Sequence, residues 1–334
     1  MGRKRLPPEN NYPAIGDEAT NELFASLKTE EPPPATYMSY IPSFFTTASL
    51  PFKNVNKTSF RRKGSNGVTL TITSPFNVPF GKFGRLLLSV LTTHAVLSKN
   101  KRVPVMIEYN ALADLLRELQ LPKQRGREIR EQLECFKGAA FCFEQRIETF
   151  QKRESLRGIS LDSLSEGDVR VETTTTGSIQ FTSGIQFQKI TDDRNGSWFG
   201  NFKIILSADF AAFCQSHAVP INYSVYKEIS SASGKDIYAW LVYRNNGLND
   251  TGKASVFVSR DKLVEQFMSL DSESGGRLVS TYYSRICDEI KEIKRRYYKE
   301  LNVDLSDPSG ITLFKSPTPV LKEDTRYALI TSTI

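Results

Sequence analysis

KQRGREIREQLECFK, residues 123–137, is the stretch on which the reading of this chain turns. Its apolar residues Ile129, Leu133 and Phe136 recur at intervals of four and three, so a helix places them on one face. Arg127 and Arg130 project from other faces, Lys123 and Arg125 precede the first turn, and Lys137 closes the last. A helix pinned by one apolar face and offering arginines from another suits a DNA major groove. A solvated surface helix has the same pattern, so its neighbours decide.

Upstream, residues 80–98 read as a helix with Phe83, Leu86, Leu87, Val90 and Leu91 as its buried stripe and His94 packed at the margin. Residues 102–109 read as a strand. Asn110 is a candidate N-cap for a helix carrying Leu112, Leu115, Leu116 and Leu119, which Leu121-Pro122 ends. Downstream, residues 139–150, 178–190 and 198–207 read as strands. Helix, strand, helix, helix, hairpin is the order of a winged helix. The polar residues 151–176 read as an exposed insertion between the hairpin arms.

The order then returns. Ser207 caps a helix through Phe213 that Pro220 stops. Ile237, Trp240 and Leu241 mark a helix over 236–244, and a strand covers 254–258. Ser259 caps a helix carrying Leu263, Val264 and Phe267. After a turn at 272–276, a long helix runs over 277–301. A second hairpin joins 302–305 to 311–315 through Asp307-Pro308-Ser309-Gly310. On the long helix Tyr282, Ile286, Ile290, Ile293 and Tyr297 share a face at about 100° per residue. Arg277, Ser280, Thr281 and Ser284 fall opposite, in its first two turns, where helix-turn-helix proteins read bases. Arg285, Lys291 and Arg295 lie within reach of phosphates. Lys294, Arg296 and Lys299 suit a solvated C-terminal end, where cations favour the helix dipole.

The expected fold is therefore α+β, with tandem winged-helix domains and a disordered N-terminal arm. Residues 1–74 are the arm, 75–206 the first domain and 207–334 the second. Pro, Ser, Thr and Asn dominate the arm, which holds Arg3-Lys4-Arg5, Pro32-Pro33-Pro34 and Arg61-Arg62-Lys63. Its apolar clusters, Leu23-Phe24 with Leu27 and residues 38–45, are taken as incidental. A short strand is expected at 68–72.

Composition bounds the function. The 334 residues carry a net charge of +7 and the pI is about 9.1, which favours an anionic partner such as nucleic acid. There is no apolar run of membrane-spanning length and no secretory or myristoylation signal. The four cysteines form no CxxC pair and read as buried thiols in a reducing cytoplasm. His94 and His217 are far apart, so no local metal motif exists. Gly234-Lys235 lacks the upstream glycine of a phosphate loop. No catalytic residue, metal or cofactor is expected.

Two segments resemble a known family. PFGKFGRLLLSVLTTHAVLSK, residues 79–99, resembles the first helix of plasmid RepA-type replication initiators. KDIYAWLVYR, residues 235–244, is similar to that family's Asp-x-Tyr-x-Trp-Leu-x-Tyr-Arg segment. ALADLLRELQLP and GREIREQLECF follow the family's order between them. The resemblance spans residues 80–296 and leaves out the arm and 151–176. His94 stands where the family pattern has an acidic residue. The resemblance implies a winged-helix protein of the bacterial cytoplasm that binds double-stranded origin DNA, helps melt an adjacent A·T-rich segment and recruits the host initiator and replicative helicase. It also implies autorepression and a monomer–dimer equilibrium. On this reading Arg127 and Arg130 read bases in the first domain, with Arg125 and Lys137 on phosphates. Arg277, Ser280, Thr281 and Ser284 read bases in the second, with Arg285 and Lys291 on the backbone. The alternatives are a winged-helix transcriptional repressor, a nicking enzyme using Tyr282 or Tyr283, and a protein-interaction module.

Overall fold

The computed structural model describes residues 38–64, 67–98, 102–152, 168–192, 196–267 and 276–320. Strand β1, Met38–Pro42, pairs antiparallel with β9, Ala218–Asn222, with Met38 opposite Asn222. Ser39 and Tyr40 tie this strand down: Ser39 Oγ lies 2.7 Å from Thr93 Oγ1, and the Tyr40 amide donates to the same oxygen at 3.0 Å. A 3-10 turn, Ser43–Thr46, then drives Phe44 and Phe45 into the core. Phe44 lies 4.5 Å from Phe143 and 5.2 Å from Phe213, ring centre to ring centre, and Phe45 meets Phe141 edge-on at 5.2 Å. Strands β2, Ser59–Lys63, and β3, Val68–Thr73, follow. The expectation of an arm extending to residue 74 is thus corrected over 38–74. The clusters at 3–5, 23–27 and 32–34 lie outside the described residues.

The first helical unit holds closely to expectation. Helix α1, Gly81–Leu97, buries Leu86, Leu87, Val90 and Leu91, but also Arg85, Ser89, Thr92 and Thr93. A helix buried on nearly every side is a core element, not a surface one. Strand β4, Val105–Tyr109, leads to α2, Leu112–Glu118. Ala111, not Asn110, is its N-cap residue, and the Asp114 carboxylate accepts the Ala111 amide at 3.0 Å. A 3-10 turn, Lys123–Arg125, opens α3, Gly126–Phe136.

The strands depart from expectation. They are β5, Ala140–Lys152; β6, Asp168–Gln180; β7, Thr182–Asp192; and β8, Gly196–Leu206. They fall into two sheets of order β2-β3-β5-β6 and β4-β8-β7. The strand expected over 178–190 is broken at Phe181, where the chain leaves one sheet for the other. Phe181 donates its amide to the Ala139 carbonyl at 2.9 Å and accepts from the Ser207 amide at 3.1 Å. Its ring is fully buried, 4.6 Å from both Phe136 and Phe210. Core packing therefore overrides strand continuity at this residue. The insertion expected at 151–176 is corrected too: Lys152 pairs with Asp168 and Glu144 with Thr176, so residues 168–176 are one arm of a long β5–β6 hairpin. Residues 153–167 lie outside the described ones.

In the second half, α4, Ala208–His217, is capped by Ser207, whose Oγ accepts the Phe210 amide at 3.0 Å. Pro220 falls in β9, past the end of this helix. Short helix α5, Tyr223–Glu228, precedes α6, Ala232–Thr251, which is capped by Ser231. Strand β10, Ser255–Ser259, helices α7, Arg260–Phe267, and α8, Gly276–Arg296, and strands β11, Val303–Asp304, and β12, Gly310–Phe314, complete the chain. The turn expected at 272–276 lies outside the described residues up to 275. Sheet order here is β10-β12-β11. One connectivity thus occurs twice. A helix, a strand, two helices and a hairpin follow in order, and the strand pairs with the hairpin's second arm. In the first copy the hairpin is β7–β8. The β5–β6 hairpin, bound to β2–β3, interrupts that copy after α3.

A buried polar cluster joins the two copies. Arg85 of α1 meets Asp236 of α6 through two bonds, Nε to Oδ1 and Nη2 to Oδ2, each 2.7 Å. Ser49 Oγ donates to Asp236 Oδ2 at 2.6 Å and accepts from Arg62 Nη1 at 2.8 Å. Burial pulls the Arg62 guanidinium down to about 10. Lys235, beside Asp236, is fully buried, and its ammonium donates to the carbonyls of Tyr226 and Lys227 in the last turn of α5. Burial, aided by Arg85, pulls its pKa down to about 7. The unfolded lysine titrates near 10.4, so between those values the unfolded chain holds the extra proton and the Lys235 contribution to stability rises with pH. Unfolding free energies measured from pH 6.5 to 10.5 are expected to show that rise in the native chain and a flatter profile in Lys235→Met. Parallel profiles would mean that Lys235 stays charged in the fold.

Candidate nucleic-acid interface

Helix α3 is fixed by its apolar face. Ile129, Leu133 and Phe136 are fully buried, and Gln132 joins them, its Oε1 accepting the Phe80 amide at 2.9 Å. Its first residue, Gly126, runs close to α2: a Cβ there would sit 3.4 Å from a Leu112 methyl. This leaves Arg125, Arg127 and Arg130 exposed. Arg125 pairs with Glu128 at 3.0 Å and lies 5.6 Å from the Phe83 ring centre. A backbone hydrogen bond and then Arg125 hold the Glu128 carboxyl below its ordinary range. Such exposed pairs contribute about 0.2–1 kcal/mol, so a phosphate could take Arg125 from Glu128 at little cost. Lys137 sits at the far end as C-cap, half-buried, over Phe76 at 5.5 Å and Phe187 at 6.0 Å. Glu128, Glu131 and Glu134 lie among these cations, and Glu131 accepts from Asn54 at 3.3 Å. The face is mixed in charge.

Helix α8 divides its charge more sharply. Ile286, Ile290 and Ile293 are buried, as the periodicity predicts, together with Tyr283 and Cys287. Ser280, Thr281, Ser284 and Arg285 are exposed on the first half. Arg277 lies in the first turn by backbone, and its side chain is outside the described ones. No acidic residue occurs between Gly276 and Cys287. Farther along, cations and carboxylates alternate: Lys291 pairs with Asp288 at 3.4 Å, and Glu292 pairs with Arg295 at 2.7 Å and with Arg296. The hydrogen bond from Arg295 leads in holding Glu292 below the usual carboxylate range. The helix therefore offers hydroxyls and Arg285 at its start and a largely neutralised surface toward its end. Arg285 itself lies over the Tyr282 ring at 5.8 Å.

Tyr283 has a positioning role that the sequence did not disclose. Its hydroxyl lies 2.6 Å from the Gly310 carbonyl and 3.0 Å from that of Asp307, fastening α8 to the β11–β12 turn. Burial is the first cause raising its pKa. His94, packed as expected, lies 2.8 Å from Glu118 Oε1, while Tyr109 donates to Oε2 at 2.6 Å. Among the described residues no helix is long and apolar enough to cross a membrane.

No family model matches the chain, and no curated protein matches it. Among solved structures, a crystal structure of domain 2 and domain 3 of RctB is similar to it at 11% identity, covering 82% of this chain and 96% of that one, with a TM-score of 0.46. A second, of RctB domains 2–3, is similar at 10% identity, covering 81% and 96%, with a TM-score of 0.40.

Proposed function

We propose that this chain is a plasmid replication initiator of the RepA type, which binds double-stranded origin DNA sequence-specifically, promotes melting and recruits the host initiator and replicative helicase. Both copies of the repeated connectivity are winged-helix units on this reading, with α3 and α8 as recognition helices and β7–β8 and β11–β12 as wings. The two helices enter successive major grooves, about 10–10.5 base pairs apart. The observation that carries the proposal is α8: its first three turns bear Ser280, Thr281, Ser284 and Arg285 with no carboxylate among them. That is the end of a recognition helix that meets base edges. Arg125, Lys137 and Lys291 serve phosphates. The protein exchanges between monomer and dimer.

The test is a binding titration against the non-coding DNA flanking the gene, with random DNA as control, at several salt concentrations. Specific binding about 10³-fold or more above random DNA, with a steep negative salt slope, is expected. Arg127→Ala and Arg277→Ala are each expected to cost about 1–3 kcal/mol and to relax preference at one position; Arg285→Ala and Lys291→Ala should each weaken all sequences alike and reduce the salt slope by about 1. Equal affinity for flanking and random DNA at every salt would refute the initiator reading.

A further inference from the structure

A groove of about 540 Å³ runs beside the C-terminal half of α6. One wall is the junction of α4 and β9, and the other is α6 from Tyr243 to Thr251; Lys253 and Val256 close one end. Val219 and Leu248 are buried at its floor, while Tyr243 remains 38% exposed. Arg244 lines this apolar groove half-buried, its Cζ 5.8 Å from the Trp240 ring. Its Nε is buried without a hydrogen-bond partner, and Arg244 forms no ion pair among the described residues. Lys253 adds a second positive charge, against Asp250 alone. The terminal guanidinium nitrogens are not among the buried atoms, and the planar fork can donate two parallel hydrogen bonds to a carboxylate.

The geometry points to a docking site for a peptide segment of a partner protein, one carboxylate side chain pairing with Arg244 and apolar neighbours covering Tyr243 and Val256. Charge complementarity chooses the acid, and the apolar concave lining favours a peptide over a nucleic-acid backbone, which is bound by exposed cations. The site is independent of the α3 and α8 surfaces.

Gly247 makes the groove testable. It is exposed on α6, and a Cβ added there meets nothing within 4 Å. Gly247→Phe therefore places a ring in open space on the groove wall without disturbing the core, and replacing a helical glycine favours the helix. Trp240 lies beneath Arg244, so its fluorescence reports occupancy. The sequence contains two tryptophans, and Trp198→Phe isolates this signal. The probe is a synthetic set of blocked hexapeptides with one Asp or Glu flanked by Leu, Ile, Val or Phe, and the matching Asn or Gln set. Titrated into the full chain, acidic members are expected to bind saturably and at least about tenfold more tightly than their amides. Gly247→Phe and Arg244→Gln should each remove most of that binding, while far-ultraviolet dichroism and DNA affinity stay unchanged. Absence of saturable binding across the acidic set, equal binding of acids and amides, or binding unaffected by Gly247→Phe would each overturn the proposal. Displacement of the peptide by an oligonucleotide would assign the groove to nucleic acid. A dimer in sedimentation that Gly247→Phe dissociates would assign it to a second copy. Either result would also overturn it.

Discussion

Replacing Asp236 by alanine is expected to cost the fold about 3–5 kcal/mol, because it strands a buried guanidinium. The side chains of Arg85 and Asp236 are only 3% and 6% exposed, so water cannot take the carboxylate's place. Against a typical total of about 5–15 kcal/mol, that is a large share, and urea unfolding should show a much lower midpoint at unchanged slope. A loss below about 1 kcal/mol, the range of exposed pairs, would mean that the pair is solvated. Many buried ion pairs can be exchanged for apolar residues at little cost. This one should not. Arg85 also donates to the carbonyls of Leu50 at 2.6 Å, Gly81 at 2.8 Å and Pro51 at 3.1 Å. The double substitution Arg85→Met with Asp236→Leu would remove all three of these bonds, leaving the Pro51 carbonyl only the Gly81 amide and the Leu50 carbonyl only Arg62 Nη1 at 3.3 Å, so it is expected to recover little of the loss.

Phe181→Ala should be comparably damaging, at about 3–5 kcal/mol for a fully buried phenylalanine. Its ring touches residues from three elements: Phe136 of α3, Phe141 of β5 at 5.8 Å and Phe210 of α4. Little can collapse into the space, because the backbone here is pinned to Ala139 and Ser207. The same substitution separates two views of the junction. If Phe181 is a core residue that happens to lie between strands, thermal melting shifts down and unfolding stays cooperative. If the β5–β6 hairpin were an independent appendage, proteolysis would release it with little change in the melting of the rest.

What was legible in the sequence was local. The stripes of α1, α3 and α8 follow from a 3.6-residue period, and the β11–β12 hairpin follows from the turn residues at 307–310. What was not legible depends on distant partners. Nothing within residues 38–42 announces that they pair with 218–222, and nothing between 139 and 190 states which strand joins which sheet, since a strand's period is the same in either. The site divides in the same way. The hydroxyls and Arg285 of α8 lie where the helical angle places them. The restraint on Lys137 comes from Phe76 and Phe187, which lie far from it in the chain. The two motif segments that suggested a family were read for their apolar stripes. Nothing in those stripes shows that Arg85 and Asp236, one from each segment, form the buried joint between the two halves.

The pairing of β1 with β9 also sets a timetable for synthesis. Met38 must wait for Asn222, about 180 residues later. At about 5–20 residues per second, the strand stays unpaired for roughly 10–40 s, with Phe44 still lacking Phe213. A nascent chain halted before residue 218 should therefore be cut by protease near β1, and one halted after α6 has emerged should resist. Until that closure, the N-terminal half presents an open strand and one side of the Phe44 ring to whatever meets it first, which exposes it to aggregation early in its life.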